Sequence, residues 1–337
     1  MSSAPSTYRA VQVAADGSLE PTHRQLTDPT RGHVRLRVEA CGVCHTDAYG
    51  FQPHPETEQG RVPGHEVVGV IDAVGEGVTR WAVGDRVGVG FLAGHCGECV
   101  SCRRGDFVTC KDQPKTGLEV DGGYAEYMIA RQTGLVAIPD GMPSADVAPL
   151  LCAGLTTYNG VLNSSVRPGS VVGILGIGGL GHLGLQYADK MGMHVVALAR
   201  GTDKEKLARE LGADEYIDSS GTDAVAALNE LGGADVIVAT ASSGDVASGL
   251  IAGLADHGRL MILGASPVTV GPDDLKDRGI RILGSLTGTP IQNEDNLAFA
   301  RRQGVKALIE ERPLDEAPAA VDRMLSGKAR FRMVLVP

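Results

Sequence analysis

Cys96, Cys99, Cys102 and Cys110 stand in the pattern C-x2-C-x2-C-x7-C. Twin two-residue spacings bring three thiolates round one ion, and the loop RRGDFVT returns a fourth. A structural, tetrahedral zinc takes four such donors. No position is left for a substrate, so this set is expected to order a surface lobe that lacks a core of its own. Iron–sulfur clusters also use four cysteines, but the spacing matches neither common ferredoxin run, and zinc is the expectation. Cys44, His65 and Cys152 are spread along the chain. A catalytic zinc needs three protein ligands and one open position, and these residues have the composition of such a set. One ion would hold a loop and the other would do chemistry. Cys41, the remaining cysteine, reads as a small buried apolar residue.

A second chemical motif is Gly176-Ile177-Gly178-Gly179-Leu180-Gly181, which follows the apolar run VVGIL and opens a helical stretch. In that context the first glycine permits a tight turn, the second lets backbone approach a pyrophosphate, and the third lets helix and strand pack closely. Leu180, Leu183, Gly184, Tyr187, Ala188 and Met191 fall on one face at helical spacing. The amides at the start of that helix would meet the phosphates.

Coenzyme choice is read at the end of the second strand, where an acidic residue usually binds both ribose hydroxyls of NAD. Here HVVALARGTDK puts Ala199 and Arg200 at that place. A carboxylate would repel a 2′-phosphate, whereas Arg200, Thr202 and Lys204 could bind one, so NADP(H) is favoured. The alternative is that Arg200 is a solvated loop charge and NAD binds without the usual clamp. Leu263 and Ser285, at the ends of the fifth and sixth strands, complete the coenzyme candidates.

These residues need two kinds of scaffold. Positions 1 to about 150 read as short alternating strands, namely His33 to Val38, Glu66 to Val74, Arg86 to Val89 and Tyr124 to Ile129, separated by glycine turns. From Val171 onward apolar strands alternate with helices: Val171 to Leu175, His194 to Ala199, Glu215 to Ile217, Asp235 to Ala239, Arg259 to Leu263 and Ile280 to Gly284. Six such strands fit a doubly wound parallel sheet with helices on both faces. The last 50 or so residues end in a helix and a strand and are too short for a core of their own. The expected organisation is a mainly-β catalytic domain over 1–153, a Rossmann coenzyme domain over 154–286, and a return to the first domain over 287–337.

Composition sets the class of partner. The chain has 337 residues, 31 Lys plus Arg against 41 Asp plus Glu, and a net charge of -10. That balance disfavours nucleic acid and anionic membrane. A small-molecule substrate is the better expectation. The start, MSSAPSTYRA, lacks the apolar core of a signal peptide, and no 18-residue apolar run is present. A cytoplasmic location is the expectation, with cysteines that serve metal rather than disulfides.

The runs CGVCHTD, GHE, the four-cysteine lobe, PLLCAG and GIGGLG occur in one order along nearly the whole chain. In that order they resemble the zinc-containing medium-chain alcohol dehydrogenases, whose first domain is GroES-like. The resemblance implies that Cys44, His65 and Cys152 bind a catalytic zinc, leaving a fourth position for water or substrate oxygen. It also implies that Thr46 bonds the alcohol oxygen and passes on its proton, that Asp47 orients His65, and that Glu66 lies near the metal. His45 and Arg332 would contact the pyrophosphate. Tyr49, Phe51, Phe91 and Leu286 become pocket-wall candidates, and a homodimer or homotetramer is the family habit.

One departure concerns the proton. The family often carries a histidine three residues beyond the position of Thr46, ending a relay to solvent, and this chain has Tyr49 there. A phenol passes a hydrogen bond but, with a reference pKa of about 10, is a poor base. Either solvent takes the proton directly or His54 substitutes. The implied reaction is hydride transfer between a small alcohol or carbonyl and NAD(P)(H). The alternatives are a zinc-free type of quinone or enoyl reductase and a non-catalytic redox sensor that binds zinc and nucleotide.

Overall fold

The computed structural model describes residues 6–51, 60–240, 244–264 and 267–337, so His54 lies outside the described residues. The chain divides into two compact units, Met1–Cys152 with Gly288–Pro337, and Ala153–Thr287.

In the unit Ala153–Thr287, six strands form one sheet in the spatial order Glu215–Asp218, His194–Ala199, Val171–Leu175, Ala234–Ala239, Leu254–Ile262, Arg281–Gly284. All five pairings are parallel. The chain's first strand of this sheet lies third, so the order reverses beside it, which is the switch point of a doubly wound fold. Val195 to Leu198 and Val236 to Val238 are 0% exposed. Burial on both faces explains why these strands read as continuous apolar runs rather than alternating ones.

One strand departs from the reading. Regular pairing begins at Arg259, as the apolar pattern indicates, but Leu254 already pairs with Ala234 across a register shift. The intervening Asp256 and His257 are exposed, and His257 has φ 63°. A polar bulge inside the strand hides its true start.

The other unit is built on a sheet ordered Ile309–Pro313, Arg332–Val336, His33–Gly42, Val67–Val74, Arg86–Val89, Leu135–Ala137, with Tyr127–Arg131 also pairing His33–Gly42. Residues from the end of the chain thus share a sheet with residues from its beginning. Val34, Leu36, Ile71, Val87, Met333 and Leu335 meet in one core together with Cys41, which is 0% exposed. The strand read from Tyr124 begins instead at Tyr127. Residues 124–126 spend their backbone elsewhere: the Tyr124 amide donates to Pro63 and its carbonyl accepts from Val11.

The return segment carries more structure than its pattern shows. Helix Pro290–Gln303 precedes strand Ile309–Pro313, helix Ala317–Leu325 and strand Arg332–Val336. The first helix buries Asn293, Asn296, Leu297 and Ala300. Two of its four inward positions are polar, so it has no apolar stripe for periodicity to find. It starts instead by a capping box: the Gln292 amide donates to Thr289 Oγ1 at 3.3 Å, and the Thr289 amide donates to Gln292 Oε1 at 2.9 Å. Gly304 ends it at φ 74°, the left-handed conformation that costs glycine nothing. Among the described residues no helix is long and apolar enough to cross a membrane.

Because the cap replaces the missing apolar stripe as the signal that starts this helix, Thr289→Ala should lower stability by about 1 kcal/mol. A reduced urea midpoint would register the loss.

Candidate metal and coenzyme sites

Strand His33–Gly42 delivers Cys44 to the start of a 3-10 turn over His45–Phe51. His65 and Glu66 immediately precede the next strand, Val67–Val74, which pairs antiparallel with His33–Gly42. Cys152 follows the 3-10 turn Ala148–Leu151. One donor atom from each of Cys44, His65, Glu66 and Cys152 lies within 4.8 Å of the others. Exposure is 5%, 0%, 0% and 9% in that order, so the group is assembled inside the unit rather than on its surface.

Asp47 organises this group. It is 1% exposed; its Oδ2 accepts from the Cys44 amide at 2.9 Å and from the Tyr124 hydroxyl at 2.9 Å. Its Oδ1 stands 2.8 Å from Nδ1 of His65. His65 is 0% exposed and neither ring nitrogen makes a hydrogen bond; Nδ1 faces Asp47 at ion-pair distance, and Nε2 is the nitrogen left for another partner. A buried imidazole nitrogen placed in this way is suited to ligate a metal. Tyr124 was not singled out by sequence, since nothing in GGYAEY signals a partner 77 positions away.

Glu66 is held on the other side. Its Oε1 accepts from Arg332 Nη2 at 2.6 Å, and both side chains are buried. A Cβ at Gly42 would lie 2.0 Å from Glu66 Oε2, so glycine at 42 is what gives the carboxylate room. Burial raises the Glu66 carboxyl to about 7 against the opposing pull of Arg332. A hydrogen bond from Cys152, aided by His65 and Arg332 and opposed by burial, holds the Cys44 thiol well below its usual range. Two thiols and two carboxyls therefore share a buried space with one guanidinium and one imidazole. Buried anions require paired charge, and a divalent cation supplies it. The donor set fits zinc with three nitrogen and sulfur ligands.

Other sequence candidates fall around this centre in different ways. Thr46 is half-buried in the turn, while His45 and Tyr49 are exposed, the latter at 58%. Phe91 meets the His65 ring edge-on, centroids 5.1 Å apart. Phe51 packs on the hydrophobic core. Arg332 is 3% exposed and directs Nη2 to Glu66. Leu286 belongs to the other unit and is 56% exposed.

The four-cysteine lobe has the dimensions of a tetrahedral site. Sγ separations are 3.6 Å for Cys96–Cys110, 3.6 Å for Cys99–Cys102, 3.9 Å for Cys96–Cys102 and 3.9 Å for Cys99–Cys110. A zinc with bonds of about 2.3 Å requires sulfurs about 3.8 Å apart. The amides of Glu98 and Cys99 donate to Cys96 Sγ at 3.4 Å each. Amides of Cys102 and Lys111 hold the Cys99 thiol down at about 6. Backbone donors thus favour the thiolate at Cys99, while burial and the neighbouring thiols push Cys102 up to about 12. All seven cysteines are free.

In the second unit the glycine motif is resolved into three distinct roles. Gly176 adopts φ 89°, a turn closed to most side chains. A Cβ at Gly178 would meet nothing within 4 Å, so this edge is open to a ligand. A Cβ at Gly181 would lie 1.8 Å from Gly176 O, so only glycine lets helix Gly181–Lys190 approach the strand. Gly179 and Leu180 lead into that helix. Thr240, which the motif does not contain, fixes the loop by donating to Leu175 O at 2.9 Å. This helix buries residues 181–188 continuously, a wider burial than the one face expected.

At the end of the second strand Ala199 is 8% exposed and Arg200 is exposed. Gly201 is pinned from the neighbouring strand: Tyr216 Oη donates to its carbonyl at 2.6 Å, and its amide donates to Asp218 Oδ1 at 2.7 Å. Lys204 precedes helix Glu205–Glu210. Leu263 lies against Gly160, and Ser285 Oγ accepts from Asn163 Nδ2 at 3.3 Å.

Residues 30–140 match the alcohol dehydrogenase GroES-like domain, and residues 179–302 match the zinc-binding dehydrogenase domain. The chain is 44% identical to the alcohol dehydrogenase patD of Penicillium expansum over 336 residues, 99% of each. An acetophenone reductase from Geotrichum candidum in complex with NAD superposes with a TM-score of 0.88 at 28% identity, covering 100% of this chain and 99% of that one. A zinc-binding dehydrogenase from Sinorhizobium meliloti bound to NADP gives 0.87 at 27% identity, covering 99% and 100%. Ligand-bearing turns, glycine motif and overall match agree, and the chain belongs to the zinc-containing medium-chain alcohol dehydrogenase family.

Proposed function

We propose that this enzyme interconverts a small alcohol and its aldehyde or ketone with NADP(H), using one catalytic and one structural zinc. The observation that carries the catalytic assignment is the convergence of Cys44, His65 and Cys152 with Asp47 set against His65. Zinc held there would supply Lewis acidity toward the substrate oxygen, of the kind that lowers the pKa of water from about 15.7 to about 7, and the coenzyme would supply or accept the hydride.

The chain's own groups do the rest. Thr46 bonds the substrate oxygen and moves its proton, and Asp47 keeps His65 in the tautomer that leaves Nε2 free to ligate. Glu66, paired with Arg332, places a carboxylate beside the ligands. Tyr49, exposed at 58%, passes a hydrogen bond outward, and solvent receives the proton. Phe91 against His65 supplies an apolar wall, so the substrate class is a small alcohol or carbonyl compound with an apolar substituent.

Cys96, Cys99, Cys102 and Cys110 take the second zinc. Gly176, Gly178, Gly179, Leu180 and Gly181 take the pyrophosphate, with His45, Leu263 and Ser285 as further contacts. NADP(H) is supported by Ala199 standing where a ribose-binding carboxylate would be. The loop that presents Arg200 is pre-formed by Tyr216 and Asp218, which reduces the ordering cost of binding a 2′-phosphate. The family resemblance extends the reading to a cytoplasmic homodimer or homotetramer.

Initial rates of aldehyde reduction, benzaldehyde included, at equal low NADPH and NADH should favour NADPH strongly. A preference for NADH would refute the coenzyme assignment and leave the reaction class intact. Arg200→Ala should raise KM for NADPH about tenfold and leave KM for NADH unchanged, as expected for loss of one charge-assisted contact. Cys44→Ala should remove one of two zinc equivalents and all activity, with the circular dichroism of the folded protein retained.

A further inference from the structure

Helix Pro290–Gln303 turns two asparagines inward, Asn293 at 2% and Asn296 at 0% exposure. A buried amide is costly unless it is bonded. Asn293 Nδ2 donates to the carbonyl of Leu151 at 2.9 Å, and Asn296 Nδ2 donates to the carbonyl of Leu150 at 3.0 Å. A further bond of 3.2 Å runs from Asn296 Nδ2 to Asn293 Oδ1 and ties the two amides together.

The receiving carbonyls end the 3-10 turn Ala148–Leu151, directly before Cys152. Carbonyls at the end of a helical turn lack donors from within it, and buried ones must find donors elsewhere. The same turn packs closely on Gly88 and Gly90. A Cβ at Gly88 would lie 2.7 Å from Leu151 Cδ2, and one at Gly90 would lie 3.0 Å from the Leu151 carbonyl oxygen and 3.6 Å from Asn293 Nδ2. The peptides preceding Cys152 thus pack on glycine backbone and are bonded by a pair of amides from more than 140 positions away.

We propose that Asn293 and Asn296 are positioning residues for the third thiolate of the catalytic metal site. They fix the two peptide units that precede Cys152, and so set where its Sγ stands relative to Cys44 and His65. This rests on the metal reading given above. An apolar residue at either position would deprive a buried carbonyl of its amide donor and leave the turn freer to shift. Groups that orient ligands in this way are commonly worth ten- to a hundredfold in metal affinity.

The test is release of zinc from the purified holoenzyme to a colorimetric chelator, for wild type, Asn293→Leu and Asn296→Ala. Wild type should release two equivalents in separate phases. In Asn293→Leu the phase absent from Cys44→Ala should quicken about tenfold, while the other phase keeps its rate. Asn296→Ala, which leaves the Asn293 bond in place, should show a smaller acceleration of the same phase and covers the case of a poorly folding Asn293→Leu. Cobalt substitution should shift the thiolate-to-metal band of that site alone. Equal acceleration of both phases means general loosening and overturns the assignment, as do wild-type rates in both variants. A wild-type protein holding a single equivalent overturns the metal reading and this inference with it.

Discussion

A carboxylate as buried as Asp47 is expensive to desolvate unless its lone pairs are met, and the catalytic unit is arranged to meet them. Its partners come from separate parts of the chain: the amide of Cys44 from the same turn, the hydroxyl of Tyr124 from the loop before strand Tyr127–Arg131, and the ring of His65 from the start of strand Val67–Val74. Satisfying one charge therefore fixes three backbone segments against each other. Nε2 of His65 is left over by that arrangement, because Nδ1 is the nitrogen that faces Asp47.

The chain's return to its first sheet serves the same centre. Strand Arg332–Val336 joins the edge of His33–Gly42 and brings the Arg332 guanidinium to Glu66. Without that cation, a carboxylate at 0% exposure beside two thiols would carry uncompensated charge. Helix Pro290–Gln303 from the same segment bonds the turn before Cys152. Both contributions come from residues more than 140 positions away from what they hold, and each is polar, which is why the helix lacks the apolar stripe of an ordinary buried helix.

Glycine marks the places where approach distance decides. Gly42 admits the Glu66 carboxylate, Gly181 admits helix Gly181–Lys190 to its strand, and Gly90 admits the carbonyl of Leu151. At each of these a methyl group would stand no more than 3.0 Å from another atom. The glycine motif was legible because its spacing is local. Gly42 and Gly90 were not, since their neighbours are distant in sequence.

What the sequence determined by itself was everything that depends on near spacing. The four-cysteine lobe closes within fifteen residues, the parallel strands are apolar on both faces and so announce themselves, and the phosphate loop joins a strand to its own following helix. The order of short motifs along the chain was enough to carry the family. What only the tertiary structure decided was the set of long-range polar partners: Tyr124 on Asp47, Arg332 on Glu66, Asn293 and Asn296 on the turn before Cys152, and Tyr216 with Asp218 on Gly201. The physical reason is that a hydrogen bond leaves no periodicity. Apolar burial imposes a repeat that can be read along a strand or helix, whereas a single buried donor needs only one acceptor, and the fold alone brings the two together.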